Sequence, residues 1–379
     1  MREYRYIPPP PATPVRGALA RRAAVLAAAL LRRPATLVAG LVVAALACGL
    51  LAIAWNGDES ASASSNPGET VVVQPAAPDP PAAPADEQAD GAPLHAAPAA
   101  VPASGPYVPA LTSANTNLSF ARRAGLHRAA NPLRLTASAA LAVDPASGKV
   151  LYARNENAIL PIASLTKLLA AMVLLDAKLP MGARIRITKD DVDRLRYSRS
   201  RVPVGTRMRR AEALRLALMS SENRAAHALA RTYPGGVAAF VQAMNDKAAQ
   251  LGMRGSNFAD PTGLTNRNRA PATDVARLVQ AAASYPRLRS YTTIRRHRAV
   301  FGKRGVRYLN ANRLVRQTRW PIVVQKTGYI VESGHCMAMV TRIGKRTVTL
   351  VLLDSGSMTH GVADARRLRA WAARHAAGK

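Results

Sequence analysis

Residues 164–176 read SLTKLLAAMVLLD, and from Leu165 onward the run is apolar on almost every side. A helix that is hydrophobic all round belongs in the middle of a domain. The run therefore predicts a central, buried helix over Leu165–Asp176. Its first turn also carries chemistry. Ser164 and Lys167 are three residues apart, so at a helix start they face the same side and the amine comes near the hydroxyl. A serine needs such a base to become nucleophilic. Apolar flanks desolvate Lys167, which lowers its pKa and makes the neutral amine available. The helix N-terminus favours negative charge developing beside Ser164. Ser164 is the only serine in the chain followed three residues later by lysine. Taken alone, the pattern also fits a helix cap followed by a surface lysine.

Upstream of this run, Ser138–Asp144 and Lys149–Arg154 read as two strands around the turn Asp-Pro-Ala-Ser-Gly. Downstream, helices are predicted over Arg210–Met219, Arg224–Arg231, Val237–Leu251 and Ala272–Ala283. Apolar strand-like runs follow at Ile322–Lys326, Cys336–Arg342 and Thr347–Asp354, then a helix over Val362–Arg374. Strands, a block of helices, strands again and a terminal helix predict one sheet covered by helices.

Two further motifs change the weight of the first. Ser221-Glu222-Asn223 lies 57 residues after Ser164, between two helical segments, where a hydroxyl and an amide could reach a reacting centre from a second side. Lys326-Thr327-Gly328 lies 103 residues after Asn223, at the end of the apolar run Ile322–Val324. There a cation, a hydroxyl and a backbone without a side chain would line a third wall. Three such motifs in this order and at these separations are very improbable by chance.

The arrangement resembles the penicillin-binding protein and serine β-lactamase superfamily, specifically its low-molecular-mass D-alanyl-D-alanine peptidases. The segments ALMSSENRAAHALARTYPGG (217–236), FADPTGLTNRNRAPATDVARL (258–278) and KTGYIVESGHC (326–336) resemble its endopeptidase branch, of penicillin-binding protein 7 type. The resemblance spans about residues 135–360. It implies a β-lactamase/transpeptidase-like fold, an α+β sandwich whose antiparallel sheet is covered by helices. It implies Ser164 as nucleophile, Lys167 as general base, and Ser221 and Asn223 as proton-relay and substrate-amide contacts. Lys326 and Thr327 would grip the carboxylate end of the substrate, and the N–H groups of Ser164 and Tyr329 would form the oxyanion hole. A side chain at Gly328 would crowd the substrate strand. The implied activity is DD-endopeptidase cleavage of peptidoglycan crosslinks, with β-lactams as covalent inhibitors. The alternatives are a DD-carboxypeptidase trimming pentapeptide stems and a non-hydrolytic β-lactam or muropeptide sensor. Fast penicillin hydrolysis by the class A route needs a glutamate that activates the deacylating water. No glutamate lies between Asn223 and Lys326, so slow release of the acyl group is expected.

Residues 35–55 are uncharged over 21 positions, roughly 31 Å as a helix, which matches a bilayer core. Seven arginines precede this run, and no Lys or Arg occurs in the 60 residues after it, which places the N-terminus in the cytoplasm. The expected organisation is a cytoplasmic tail (1–34), a transmembrane helix or signal anchor (35–55), a Pro- and Ala-rich disordered linker (56–118) and a peptidase domain (119–379). That makes a single-pass inner-membrane protein with a periplasmic catalytic domain, or a soluble periplasmic one after signal cleavage. The linker has seven acidic residues and no basic one. Its composition cannot bury a core, and its expected role is reach.

Residues 119–379 carry 46 Lys and Arg against 14 Asp and Glu, a net charge of +32. Such a surplus attracts polyanions. With no nucleic-acid-reading motif and only 4% aromatic residues, nucleic acid is not an expected partner. Cys48 and Cys336 fall in different segments, so no internal disulfide is expected, and no cofactor or metal pattern appears. The segment Asp260-Pro-Thr-Gly-Leu264 reads as turn chemistry, either a plain loop after a helix or a site-forming one, and is left out of the catalytic set; Asn310 and Asn312 read as a cap or turn, and His227 as structural.

Overall fold

The computed structural model describes residues 118–376. The expected tail, membrane helix and all but the last residue of the expected linker lie outside them. Among the described residues no helix is long and apolar enough to cross a membrane.

In chain order the strands of three or more residues are β1 (Ala139–Val143), β2 (Val150–Arg154), β3 (Arg184–Arg186), β4 (Arg207–Arg209), β5 (Arg296–Phe301), β6 (Arg304–Leu309), β7 (Ile322–Ile330), β8 (Gly334–Ile343) and β9 (Arg346–Ser355). The principal helices are α1 (Thr166–Asp176), α2 (Arg210–Met219), α3 (Asn223–Arg231), α4 (Gly236–Gln250), α5 (Ala272–Ala282), α6 (Pro286–Thr293) and α7 (Met358–Ala376). One antiparallel sheet runs in the order β2-β1-β9-β8-β7, so the first strand of the domain pairs with the last.

Both faces of this sheet are covered. Side chains alternate along a strand, and in β1 Ala139, Leu141 and Val143 pack into one core while Ala140 and Ala142 pack into another. Helix α7 closes the second core with Val362, Ala365, Leu368 and Ala372. The first core receives α5 and, beneath it, α1, whose residues from Thr166 to Leu174 are all buried. The apolar run therefore forms the predicted central helix, its first turn tightened into a 3-10 turn over Ala163–Leu165.

The strand carrying Lys326 is longer than its apolar run. Strand β7 continues through Gly328 and Tyr329 to Ile330, turns over Val331–Ser333 and returns as β8 from Gly334, where φ is 58°. Lys326-Thr327-Gly328 thus sits inside the strand, held in register by Ala338, Met337 and Cys336 of β8. Strand β7 forms one edge of the sheet, with the turn that bears Ser164 against it.

Candidate active site

Three elements meet at Ser164. The nucleophile candidate follows Ala163, a non-glycine residue at φ 46°, and opens the segment that leads into α1. Ser221, also left-handed at φ 61°, closes the connection between α2 and α3. Strained backbone of this kind persists where surrounding packing over-determines it. Lys326 reaches in from β7, donating to Ser221 Oγ at 2.9 Å and to the Thr327 carbonyl at 2.7 Å. The cleft they border has a volume of about 260 Å³, and Ser164, Ser221, Asn223, Thr327, Gly328 and Tyr329 all line it.

Lys167 is the hub. Its Nζ lies 2.8 Å from Ser164 Oγ and donates to Asn223 Oδ1 at 2.7 Å and to the Thr262 carbonyl oxygen at 2.6 Å. A neutral amine has two N–H donors and one lone pair. The two carbonyl-type oxygens take both donors, so the lone pair is left facing the serine hydroxyl. Burial pushes the Lys167 amine down to about 8, against the pull of the Asp260, Glu222 and Asp193 carboxylates. Burial, and then repulsion from Lys167, holds Lys326 well below the ordinary lysine range.

Gly328 is where β7 passes the nucleophile. A Cβ there would stand 2.7 Å from Ser164 N and 2.9 Å from Ala163 Cβ, so the strand can come this close only without a side chain. Tyr329 follows, 56% exposed and stacked on His335 with ring centroids 4.4 Å apart. Behind Lys326, Asn312 caps a short helix at Leu314 N (2.9 Å) and donates to Gln325 Oε1 (3.1 Å). Asn310 donates to the Thr292 and Ile294 carbonyls. His227 sits 2.9 Å from Asp191, which Arg231 also grips, so it fastens α3 to the turn Lys189–Asp191. Cys336 is buried and free, its thiol pushed up to about 12 by desolvation.

The residues brought together here are all eight of the sequence-expected set, and the family comparison bears on the same region. A family model described as D-alanyl-D-alanine carboxypeptidase (Peptidase_S11) matches residues 126–357. The chain belongs to this family. Among its relatives is a D-alanyl-D-alanine endopeptidase of Pseudomonas aeruginosa, 45% identical over 62% of this chain and 77% of that protein. A D-alanyl-D-alanine endopeptidase of Escherichia coli K12 is 40% identical over 67% and 82%. A D-alanyl-D-alanine carboxypeptidase of Bacillus subtilis is 28% identical over 63% and 62%. In fold, the DD-peptidase domain resembles the Streptomyces K15 DD-transpeptidase, with a TM-score of 0.59 over 62% of this chain and 97% of that one, at 23% identity.

Two contributors to the DD-peptidase site lie outside the eight expected residues, the first on a turn for which the sequence left a site-forming role open beside a plain loop. The turn Asp260–Leu264 supplies the Thr262 carbonyl to Lys167. Asp260 anchors that turn by accepting from the N–H groups of Thr262 (2.7 Å), Gly263 (2.5 Å), Leu264 (3.1 Å) and Thr265 (2.9 Å). Gly263, at φ 81°, lets the turn press against the nucleophile segment, since a Cβ would fall 2.0 Å from the Ala163 carbonyl oxygen. The second is Ser198, whose Oγ accepts from Asn223 Nδ2 at 2.9 Å. Its loop is held by Asp193, which accepts from the Leu195, Arg196 and Ser198 amides. A carbonyl and a loop hydroxyl carry no motif, so neither had a sequence signal beyond the turn itself.

Proposed function

We propose that this DD-peptidase is an endopeptidase that hydrolyses peptidoglycan crosslinks through an acyl-enzyme on Ser164. The observation that carries the reading is the 2.8 Å approach of Lys167 Nζ to Ser164 Oγ, because in the neutral amine the lone pair is what remains for that hydroxyl. The neutral amine takes the hydroxyl proton as Ser164 Oγ attacks the D-alanyl carbonyl carbon. The N–H groups of Ser164 and Tyr329 face the developing oxyanion, a position where preorganised donors stabilise charge that exists only in the transition state. As the tetrahedral centre collapses, the C–N bond breaks and the proton held on Lys167 passes through Ser221, which is hydrogen-bonded to Lys326, to the leaving amine, so that Lys167 is neutral again. Water then adds to the ester as neutral Lys167 accepts its proton; the bond between the acyl carbon and Ser164 Oγ breaks, Lys167 returns the proton to Oγ, and the peptide leaves with a new carboxyl group.

In a crosslink to diaminopimelate, the leaving amine is borne by a carbon that also carries a carboxylate. Lys326 and Thr327 are placed to hold that group, and its negative charge restores the proton that burial disfavours on Lys326. Asn223, with its oxygen committed to Lys167, borders the cleft beside the substrate amide. β-Lactams enter the same reaction as acylating inhibitors. The relatives named endopeptidases, 40–45% identical, favour crosslink cleavage, whereas the family description favours the second reading, trimming of pentapeptide stems. The charge asymmetry about residues 35–55 supports an inner-membrane anchor with the domain in the periplasm. One digest decides between the activities: crosslinked muropeptide dimers and monomeric pentapeptide are incubated separately with the protein and products are identified by mass. Release of terminal D-alanine with intact dimers would leave only the carboxypeptidase.

A further inference from the structure

Two β-ribbons outside the cleft break a rule of strand pairing. In the β3–β4 ribbon Arg184 stands directly opposite Arg209 and Arg186 opposite Arg207, and in the β5–β6 hairpin Arg298 stands opposite Arg307. Like charges directly opposite destabilise an antiparallel pair, because the Cβ atoms are only about 5 Å apart. All six arginines are exposed, while Ile185, Met208, Ala299, Phe301 and Tyr308 anchor the opposite faces of the ribbons in buried surroundings. Among the described residues none of the six forms an ion pair.

The two ribbons share one cleft. It has a volume of about 320 Å³ and is lined by Arg184, Arg207, Arg209 and Arg298, with Val300 at its side. Its single carboxylate, Glu212, is already engaged by Arg215 and His297, both at 2.6 Å. Four guanidinium forks against one carboxylate that is already engaged make a site for external anions, and the fork geometry suits carboxylates bidentately. Places where a fold breaks a local rule without internal compensation are expected to be functional.

We propose that this ribbon cleft is a docking surface for the carboxylate-bearing peptide stems of peptidoglycan, separate from the catalytic cleft. The inference rests on the peptidoglycan reading above and adds a second point of attachment to the same polymer. The placement fits. Helix α2 begins immediately after Arg209 and ends two residues before Ser221, so the two clefts lie about 15 Å of helix apart. A polymer held at one cleft is presented to the other at raised effective concentration, a gain that a small soluble substrate cannot receive.

The test uses the full chain with its catalytic cleft first blocked by a penicillin, and measures sedimentation with purified sacculi stripped of attached polymers. The variant Arg184→Gln/Arg207→Gln/Arg209→Gln/Arg298→Gln is compared with a control of equal charge change, Arg342→Gln/Lys345→Gln/Arg366→Gln/Arg374→Gln, taken from other exposed positions. The ribbon variant is expected to lose about tenfold in sacculus affinity, with the control close to wild type. Both variants should cleave a soluble muropeptide dimer at the wild-type rate. Equal loss in both variants would reduce the effect to net charge and overturn the docking site, as would undiminished sedimentation of the ribbon variant. Retention of wild type only by anionic lipid vesicles would overturn it in favour of a membrane surface. Failure of penicillin labelling and of dimer cleavage would strike the catalytic reading instead, and the sedimentation of the unblocked protein would still judge the ribbons.

Discussion

Ser198 Oγ accepts a hydrogen bond from Asn223 Nδ2 at 2.9 Å and so fixes which end of that amide faces Lys167. Without it the amide is free to turn, and a rotated Asn223 would present N–H to an amine that needs an acceptor. Ser198→Ala should therefore slow acylation by a fluorescent penicillin about five- to tenfold, the worth of roughly one hydrogen bond. The pH at which acylation reaches half its plateau should move with it, because the charge environment of Lys167 changes. Ser198→Thr, which keeps the hydroxyl, should restore both. A slower rate with an unmoved pH profile would make Ser198 a packing residue only.

Lys167→Ala removes the group that takes the hydroxyl proton, and a positioned general base contributes about 10²- to 10⁴-fold. Labelling should fall by that much, and Ser164→Ala should abolish it with the thermal transition retained. Near wild-type acylation of the lysine variant would mean that another residue is the base.

With Lys167 lowered to about 8 by burial, its neutral form grows as pH rises through that value. Acylation should thus climb about tenfold per pH unit on the acid side and level off in alkali, with a midpoint near the same value. A stopped-flow pH series would show this directly. A profile that is flat across the neutral range would mean that the lysine is already deprotonated there.

Gly263→Ala places a side chain on a left-handed residue and drives it into the Ala163 carbonyl. The conformational and steric costs together should amount to roughly 2–4 kcal/mol. Urea denaturation would report the loss. Penicillin labelling measured well below the transition should fall too, because the same turn carries the Thr262 carbonyl.

Residues 119–379, with their net charge of +32, should also sediment with sacculi in a salt-dependent way, since screening shortens surface attraction to about 8 Å at physiological ionic strength. Raising salt should weaken pelleting far more than it slows turnover of a soluble muropeptide, because Lys326 and Thr327 act at contact distance. Salt-insensitive pelleting would remove any role for the arginine surplus.

Elements with a strong apolar period were legible. Helix α2 spans Arg210–Met219 as its pattern predicted, and α5 differs by one residue at its end. Helix α6 buries only Leu288, Tyr291 and Thr292, too little to stand out in PRLRSYTT. The β5–β6 hairpin was hidden because arginines fill its outward face, so RHRAVF shows little of the alternation that marks a strand. Strands β3 and β4 are three residues each and pair across a loop, a contact set by tertiary packing. In the site, Ser164 and Lys167 could be read because their contact depends on spacing along one helix. Thr262 and Ser198 could not, because one offers only backbone and the other arrives from a loop whose course the local sequence does not state.

Strand β7 has a further consequence. It is an edge strand, and an open edge is a template on which any extended peptide, including another copy of the chain, could crystallise into a ladder. An inward-pointing charge is one of the devices that forbid such growth, because an added strand must bury it unpaired. Lys326 acts in the same way as a buried polar group, 1% exposed and borne by the edge itself, whose amine takes up its full charge only beside an anion. A visitor bringing a carboxylate to the right place satisfies it, and one without is turned away. In the proposed reaction the residue that receives the substrate carboxylate thereby also guards the edge of the sheet against self-association.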